Sequence, residues 1–291
     1  MHPAKNVTAS GGVPLTTTDD QPAAGAPALR IIGCCGWSVS GSIQAEFPGM
    51  GSHLQRYAMR FAGVEISSSF YRYHQHKTYQ RWAASVPSGF RFAVKLPRGI
   101  THERRLIGTM PEFEVFLAET AGLGTARGPM LIQLPPSLAF HSRTVARFLD
   151  GVRHRFHGEL VCEPRHATWF TTDVASVLAD FHVARVAADP ARVPQAALPG
   201  GWSGLRYYRL HGSPVIYRSS YTVEYLETLA CSIREEHRSV WCIFDNTMVQ
   251  AAQRNALELL GLLSPSPLRS GGDILPVQSR RGAPSAPAAS R

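Results

Sequence analysis

The sequence lacks any uninterrupted apolar run near the ~18 residues that a membrane-spanning helix needs, so no helical span is expected. It begins MHPAKNVTAS, without the apolar stretch of a secretory leader, and export is not expected either. Cysteine is sparse. The five cysteines, Cys34, Cys35, Cys162, Cys231 and Cys242, are odd in number and form no C-x-x-C. That argues against a disulfide framework and against a zinc cluster, and points to a reducing, cytoplasmic compartment. Lysine is nearly missing: three lysines stand against 27 arginines. No five like charges occur in a row, so there is no basic arm of the kind that reads as a nucleic-acid tail. Also missing are the P-loop, G-x-G-x-x-G, G-x-S-x-G and H-E-x-x-H patterns, which disfavours nucleotide-dependent, triad-hydrolase and zincin chemistry.

What is there describes a folded α/β chain. Of 291 residues, 44% are hydrophobic and 18% charged, within the range of globular proteins. The net charge of +9 favours anionic partners, although arginine-rich composition alone would produce much of it. Residues 1–28 and 264–291 are rich in Ala, Pro, Ser, Thr and Gly, without apolar period, and read as disordered tails. Residues 29–263 form the expected folded unit.

Within that unit short β-branched or aromatic runs alternate with helix-period segments. The expected strands are Ile31–Cys35, Val64–Ser67, Phe90–Leu96, Met130–Leu134, Leu160–Glu163, Val183–Ala188, Leu205–Leu210 and Val240–Phe244. The expected helices are His53–Phe61, Lys77–Ser85, Glu112–Ala121, Arg143–Val152, Asp173–Phe181, Val223–His237 and Gln250–Leu260, with Ser52, Ser142 and Thr172 as caps. Such alternation implies parallel strands with right-handed crossovers. The count and length fit a single closed (β/α)8 barrel of the TIM type, with an open doubly wound sheet as the alternative.

A barrel places its chemistry at the C-terminal strand ends. Those ends are polar here: Glu65 and Ser67, Lys95 followed by Arg98 and His102, Gln133, Glu163 with Arg165 and His166, Asp189, Arg209 with His211, and Asp245 with Asn246. Alternation along a strand puts Glu163 on one face with Arg165, and Arg209 with His211. Similar numbers of carboxylates and cations suggest a charge-balanced mouth, because unpaired buried ions are costly. Lys95 is notable in a chain that otherwise uses arginine: a compact ammonium suits phosphate binding or a shifted amine. Glu65, Lys95, His102, Glu163 and His211 are the candidate catalytic groups. Trp37, Tyr71, Arg98, Gln133, Arg165, His166, Arg209, Asp245 and Asn246 are the candidate substrate contacts. No cofactor or metal is expected. A divalent ion on Glu65, Glu163, Asp189, His211 and Asp245 is the alternative, with neighbouring cations competing for the same carboxylates.

The segments Ile32–Ser38 (IGCCGWS), Val64–Tyr71 (VEISSSFY), Phe90–Arg98 (FRFAVKLPR), Ile100–His102 (ITH), Gln133–Ser137 (QLPPS), Glu163–Trp169 (EPRHATW), Arg209–Gly212 (RLHG) and Phe244–Asn246 (FDN) occur in that order. Together they resemble the domain of unknown function 72 family, also called YecE-like, over about residues 31–262. Ser67 and Ser69 stand where that family often has Asn and Thr, Cys34-Cys35 where Thr-Ser is usual, and Asp245 where an Asn is usual. The resemblance implies a TIM-type barrel and supplies no reaction. Its matching positions include Trp37, Glu65, Phe70, Tyr71, Lys95, Arg98, Thr101, His102, Gln133, Glu163, Arg165, His166, Trp169, Arg209, His211 and Asn246. The expected function is an enzyme acting by acid/base chemistry on a small anionic substrate that bears phosphate or carboxylate. A nucleic-acid-binding or metal-dependent nuclease-like barrel is the alternative, and a non-catalytic ligand sensor is a third reading.

Overall fold

Each expected run contains strand in the computed structural model, which describes residues 28–39 and 41–264, and Val183–Ala188 is divided between two strands. The tails expected to be disordered fall almost wholly outside those residues. The strands are β1 (Arg30–Cys34), β2 (Gly63–Ile66), β3 (Arg91–Lys95), β4 (Arg127–Gln133), β5 (Leu160–Glu163), β6 (Val183–Arg185), β7 (Ala187–Asp189), β8 (Gly200–Gly201), β9 (Leu205–Leu210) and β10 (Ser239–Phe244). The helices are α1 (His53–Ala58), α2 (His76–Ala84), α3 (Met110–Thr120), α4 (Ser142–Arg153), α5 (Thr172–Asp180), α6 (Val223–Glu235) and α7 (Ala251–Leu263). Ser52 caps α1 in a capping box with Gln55. The other two caps lie one residue earlier than expected. The N-cap of α5 is Thr171, whose hydroxyl accepts from the Val174 N–H, and that of α4 is His141, without a side-chain bond.

The strands pair as two sheets, ordered β1-β10-β9-β7 and β2-β3-β4-β5-β6-β8. The continuous closed ladder expected from the sequence is therefore not formed. Every pair is parallel except β6 with the two-residue β8. The two sheets adjoin at both ends. Cys35 bridges to Glu65 between β1 and β2. On the other side the single run Val183–Asp189 pairs with β5 through β6 and with β9 through β7.

Burial divides by parity along the strands. Ile32, Val64, Val94, Ile132, Cys162 and Cys242 belong to the large cluster shared with the helices. Ile31, Ala93, Leu131, Val161, Ala184, Val186, Tyr207, Trp241 and Ile243 form a second buried cluster of their own. Alternation requires such a division when both faces of a sheet are covered. Among the described residues no helix is long and apolar enough to cross a membrane.

Candidate active site at the strand ends

Continuing the second cluster two residues toward the strand C-termini replaces apolar side chains with polar ones. Ala93 is followed by Lys95, Leu131 by Gln133, Val161 by Glu163 and then Arg165, Tyr207 by Arg209 and then His211, and Ile243 by Asp245. Cys35, Glu65 and Ser67 occupy the same face of β1 and β2 by the same parity. The apolar layer thus forms a floor beneath a polar one.

Arg209 organises that layer. It is 1% exposed. Its Nε and Nη2 donate to both oxygens of Glu65 at 3.0 and 2.8 Å, its Nη1 donates to Glu163, and its Nη2 also reaches Asp245 at 3.1 Å. The forked guanidinium is the cation able to meet several carboxylates at fixed angles. Glu65, wholly buried, also accepts from the Tyr207 hydroxyl at 2.9 Å and from Ser67 at 2.9 Å. Glu163 accepts from Gln133 at 3.1 Å and from Arg165 at 3.0 Å. The two ring nitrogens of His211 lie 3.0 Å from Asp245 and 3.2 Å from Glu163.

The protonation states follow. Burial alone would raise the pKa of Glu163, but Arg209, His211 and Arg165 outweigh it and hold the carboxyl well below its usual range. Asp245 is likewise lowered, burial being outweighed by Arg209 and His211. Burial opposes charging of His211, yet Glu163 and Asp245 raise its pKa and so favour the imidazolium, the form able to donate from both nitrogens. Three carboxylates thus meet Arg209, Arg165 and His211. Of the carboxylates named as alternative metal ligands, Glu65, Glu163 and Asp245 are tied to these cations, and among the described residues no group of three or more His, Cys, Asp or Glu is placed to hold an ion. The Cys35 thiol is pushed well above its usual range by burial and by Asp245 and Glu65, so it stays protonated.

Lys95 stands apart from this pairing. It is 7% exposed, and its Nζ lies 3.9 Å from the centre of the Phe70 ring. Among the described residues no ion pair or hydrogen bond reaches that nitrogen. Burial lowers the Lys95 pKa and Arg209 adds to the effect, against opposition from Glu65 and Glu163. His102 packs its ring edge-on to Phe70, with centroids 4.8 Å apart, and bonds Thr101 through Nδ1 at 2.9 Å. Burial, then Lys95, Arg165 and Arg98, lower His102 to about 4, so it is neutral near pH 7.

Two cavities open beside the layer. One, of about 420 Å³, is lined by Glu163, Arg165 and His211 together with Pro190, Arg192, Ile216 and Tyr217. The other, of about 430 Å³, is lined by Cys35, Trp37, His53, Glu65 and Ser67. A larger cavity of about 620 Å³ lies away from these groups, between the start of α3 and α4, and touches none of them.

The family described as protein of unknown function DUF72 matches residues 31–275. The chain belongs to the DUF72 family. The UPF0759 protein YunF of Bacillus subtilis (strain 168) is 30% identical over 151 residues, 49% of this chain and 53% of that protein. The chain thus matches about half the length of that curated relative. A DUF72 crystal structure from Enterococcus faecalis V583 is 20% identical at a TM-score of 0.67, covering 81% of this chain and 95% of the other. One from Thermotoga maritima MSB8 is 20% identical at 0.62, covering 81% and 99%. At that identity the likeness shows a shared DUF72 fold.

The structure gathers Glu65, Lys95, Gln133, Glu163, Arg165, Arg209, His211 and Asp245 at one place, with His102 and Trp37 at its edges. Four expected contacts lie elsewhere. Arg98 pairs with Glu103 at 3.3 Å in solvent. Tyr71 is 77% exposed, with its ring in a T-shaped contact with Phe70. His166 caps the short turn Ala167–Trp169 through Thr168. Asn246 has the opposite parity to Asp245, and its Nδ2 donates to the Ser219 carbonyl and to Asn255 Oδ1. Asp189 is raised by burial and sits under the Tyr221 hydroxyl, outside the ion network. Sequence reasoning left Tyr207 out of the candidate catalytic and contact residues, although it shares the face of Arg209 and its hydrogen bond to Glu65 could have been anticipated by parity. Arg192 and Tyr217 enter from loops, where no period announces them.

Proposed function

We propose that the two sheets form one eight-stranded cylinder, with Val183–Asp189 acting as a single strand, and that its C-terminal mouth is the active site of an enzyme for a small anionic substrate. The buried apolar cluster supplies the inner layer such a cylinder requires. The observation that carries the functional reading is Lys95: a buried amine without a counter-ion, beside carboxylates already engaged by Arg209, Arg165 and His211. An incoming phosphate or carboxylate meets surplus positive charge there and is the natural partner for it.

The roles then divide differently from the first expectation. Glu65, Glu163 and His211 are held by their partners and act as positioning groups. Proton transfer falls to Lys95 and to neutral His102, whose Nε2 is free of protein partners among the described residues. The test is calorimetric titration with inorganic phosphate and with pyruvate, on the unaltered protein and on Lys95→Met. We expect saturable binding that weakens by about tenfold or more, ~1.4 kcal/mol, in the variant. Equal binding by both proteins, or none by either, would overturn the reading.

A further inference from the structure

We propose that Lys95 is an imine-forming lysine, and that the substrate is therefore a small aldehyde or ketone carrying a phosphate or carboxylate. The inference rests on the anion-binding reading above and narrows its substrate class. Three observations lead to it.

First, ion pairing among the described residues is done by arginine and histidine, while Lys95 takes no carboxylate although Glu65 and Glu163 lie in the same layer. An ion-pairing role would be served as well by a further arginine. The property that lysine has and arginine lacks is the ability to lose its proton and become a nucleophile. Second, burial and Arg209, a permanent cation that cannot relieve the repulsion by deprotonating, lower the Lys95 pKa against Glu65 and Glu163, while the Phe70 ring face under Nζ acts in favour of the ammonium. Third, the cavity along Glu163 borders the same polar layer, though Lys95 does not itself line it, and offers groups that suit an anionic carbonyl compound. Arg165 and Arg192 offer positive charge, while Pro190, Ile216 and Tyr217 offer an apolar wall.

The step balances without an oxidant or reductant. The neutral Lys95 nitrogen attacks the carbonyl carbon, a C–N bond forms, and the carbonyl π pair moves to oxygen. A proton passes from nitrogen to that oxygen. A second proton, taken from solvent, adds to the hydroxyl, the nitrogen lone pair displaces it as the C–O bond breaks, and water leaves, giving a protonated imine. The positive nitrogen draws electrons from the neighbouring C–H bond, and neutral His102 is placed against Phe70 to accept that proton.

The chain provides its own control, because Lys77 on α2 is exposed and Lys5 is the one other lysine. The experiment incubates the full-length protein with pyruvate, and separately with glyceraldehyde 3-phosphate, at neutral pH with cyanoborohydride. Peptide mass mapping then reads the reduced adduct on each lysine. We expect Lys95 to be labelled about tenfold or more faster than Lys77, since a lowered pKa leaves more free amine. Inorganic phosphate should slow the labelling of Lys95 and leave Lys77 unchanged. Lys95→Arg should lose the adduct and keep phosphate binding.

Labelling of Lys95 no faster than Lys77 with both probes overturns the inference, and that comparison within one sample needs no variant to fold. If phosphate binds while no preferential adduct forms, the imine falls and the anion site stands. If preferential labelling occurs without phosphate binding, the imine stands and the anion-binding reading falls.

Discussion

A guanidinium that donates to three carboxylates sets the protonation of the side chains around it. With Arg209 in place, Glu163 and Asp245 remain charged, and their charge in turn holds the proton on His211. This gives the molecule a pH signature. The His211 pKa lies above its ordinary value of 6.5 when folded. The stability it contributes is therefore fully present below about pH 6.5 and is lost as pH rises through the folded value. Glu163 has the opposite sign: its contribution is present above its ordinary value of 4.5 and is lost as pH falls through its lowered one. Thermal melts of the protein and of His211→Asn, compared from about pH 6 to pH 9, should show a gap that is widest at the acid end. A gap on the order of 1–3 kcal/mol at pH 6, narrowing upward, is expected for a buried doubly bonded imidazolium. A gap constant across that range would mean that His211 is neutral in the folded protein. At this scale the sequence was legible wherever parity applied. Glu163 with Arg165 and Arg209 with His211 share faces as alternation requires, and Asp245 meets Arg209. Lys95 was singled out by its rarity. Its lack of a counter-ion was not legible, because that depends on which cation reaches each carboxylate first. Tyr71, Arg98 and His166 lie apart from the cluster because they follow the strands, where loop geometry and not period sets direction.

Between elements the informative place is the seam of β1 and β2, where the ladder gives way to a bridge. There the Tyr57 side chain of α1 does the work of a strand pair. Its hydroxyl accepts from the Cys34 N–H at 2.8 Å and donates to the Gly63 carbonyl at 3.2 Å, both buried. Gly33 permits this approach, since a Cβ at that position would strike the Gly63 carbonyl oxygen. The seam matters to the site because Cys35 and Glu65 lie just beyond it. Tyr57→Phe keeps the ring among Phe47, Phe61 and Phe90 and leaves one buried donor and one buried acceptor unpaired. We expect a loss of ~1–3 kcal/mol in urea unfolding. We also expect faster hydrogen exchange at the Cys34 amide than at Gly33, whose N–H lies on the side of the strand that pairs with β10. An unchanged midpoint together with unchanged exchange would show that the seam is held by other contacts. The helices and strands themselves were legible from period and caps, down to the Ser52 capping box. The tyrosine bond was not, because nothing local marks a side chain that pairs with backbone across two strands. The break at Val186, which divides one expected strand between two sheets, is likewise set by its neighbours.

At the scale of the whole molecule the question is what a net charge of +9 is for. Several arginines have duties inside the fold. Arg153 donates to the carbonyls of Phe156, Gly158, Phe181 and His182 and so ties the end of α4 to the turn before β6. Arg56 holds Gln44 and Phe47, Arg105 holds Ser137, and Arg234 holds Leu262. Arg155 and Arg206 pair with Glu114 and Glu236. A guanidinium fixed to a carbonyl keeps its charge but is less free to follow a phosphate backbone. The charge is thus distributed over the fold by structural duties, whereas the anion site proposed above is centred on Lys95. Nucleic acid and a small anion can be separated on this ground. Multivalent contact with a duplex through ~6–10 phosphates weakens by a factor of about 10³–10⁵ between roughly 50 and 200 mM salt. An anion bound in a buried mouth is screened far less. Anisotropy with a labelled duplex should therefore give no saturable binding tighter than ~1 μM near 150 mM salt, consistent with non-specific contact. Phosphate titrated in the same buffers, with a non-coordinating anion as the added salt, should change its affinity by less than about threefold. Submicromolar duplex binding with a steep salt slope would instead make the dispersed arginines a binding surface, and the mouth would then have to be read as a site for one nucleotide of a longer chain.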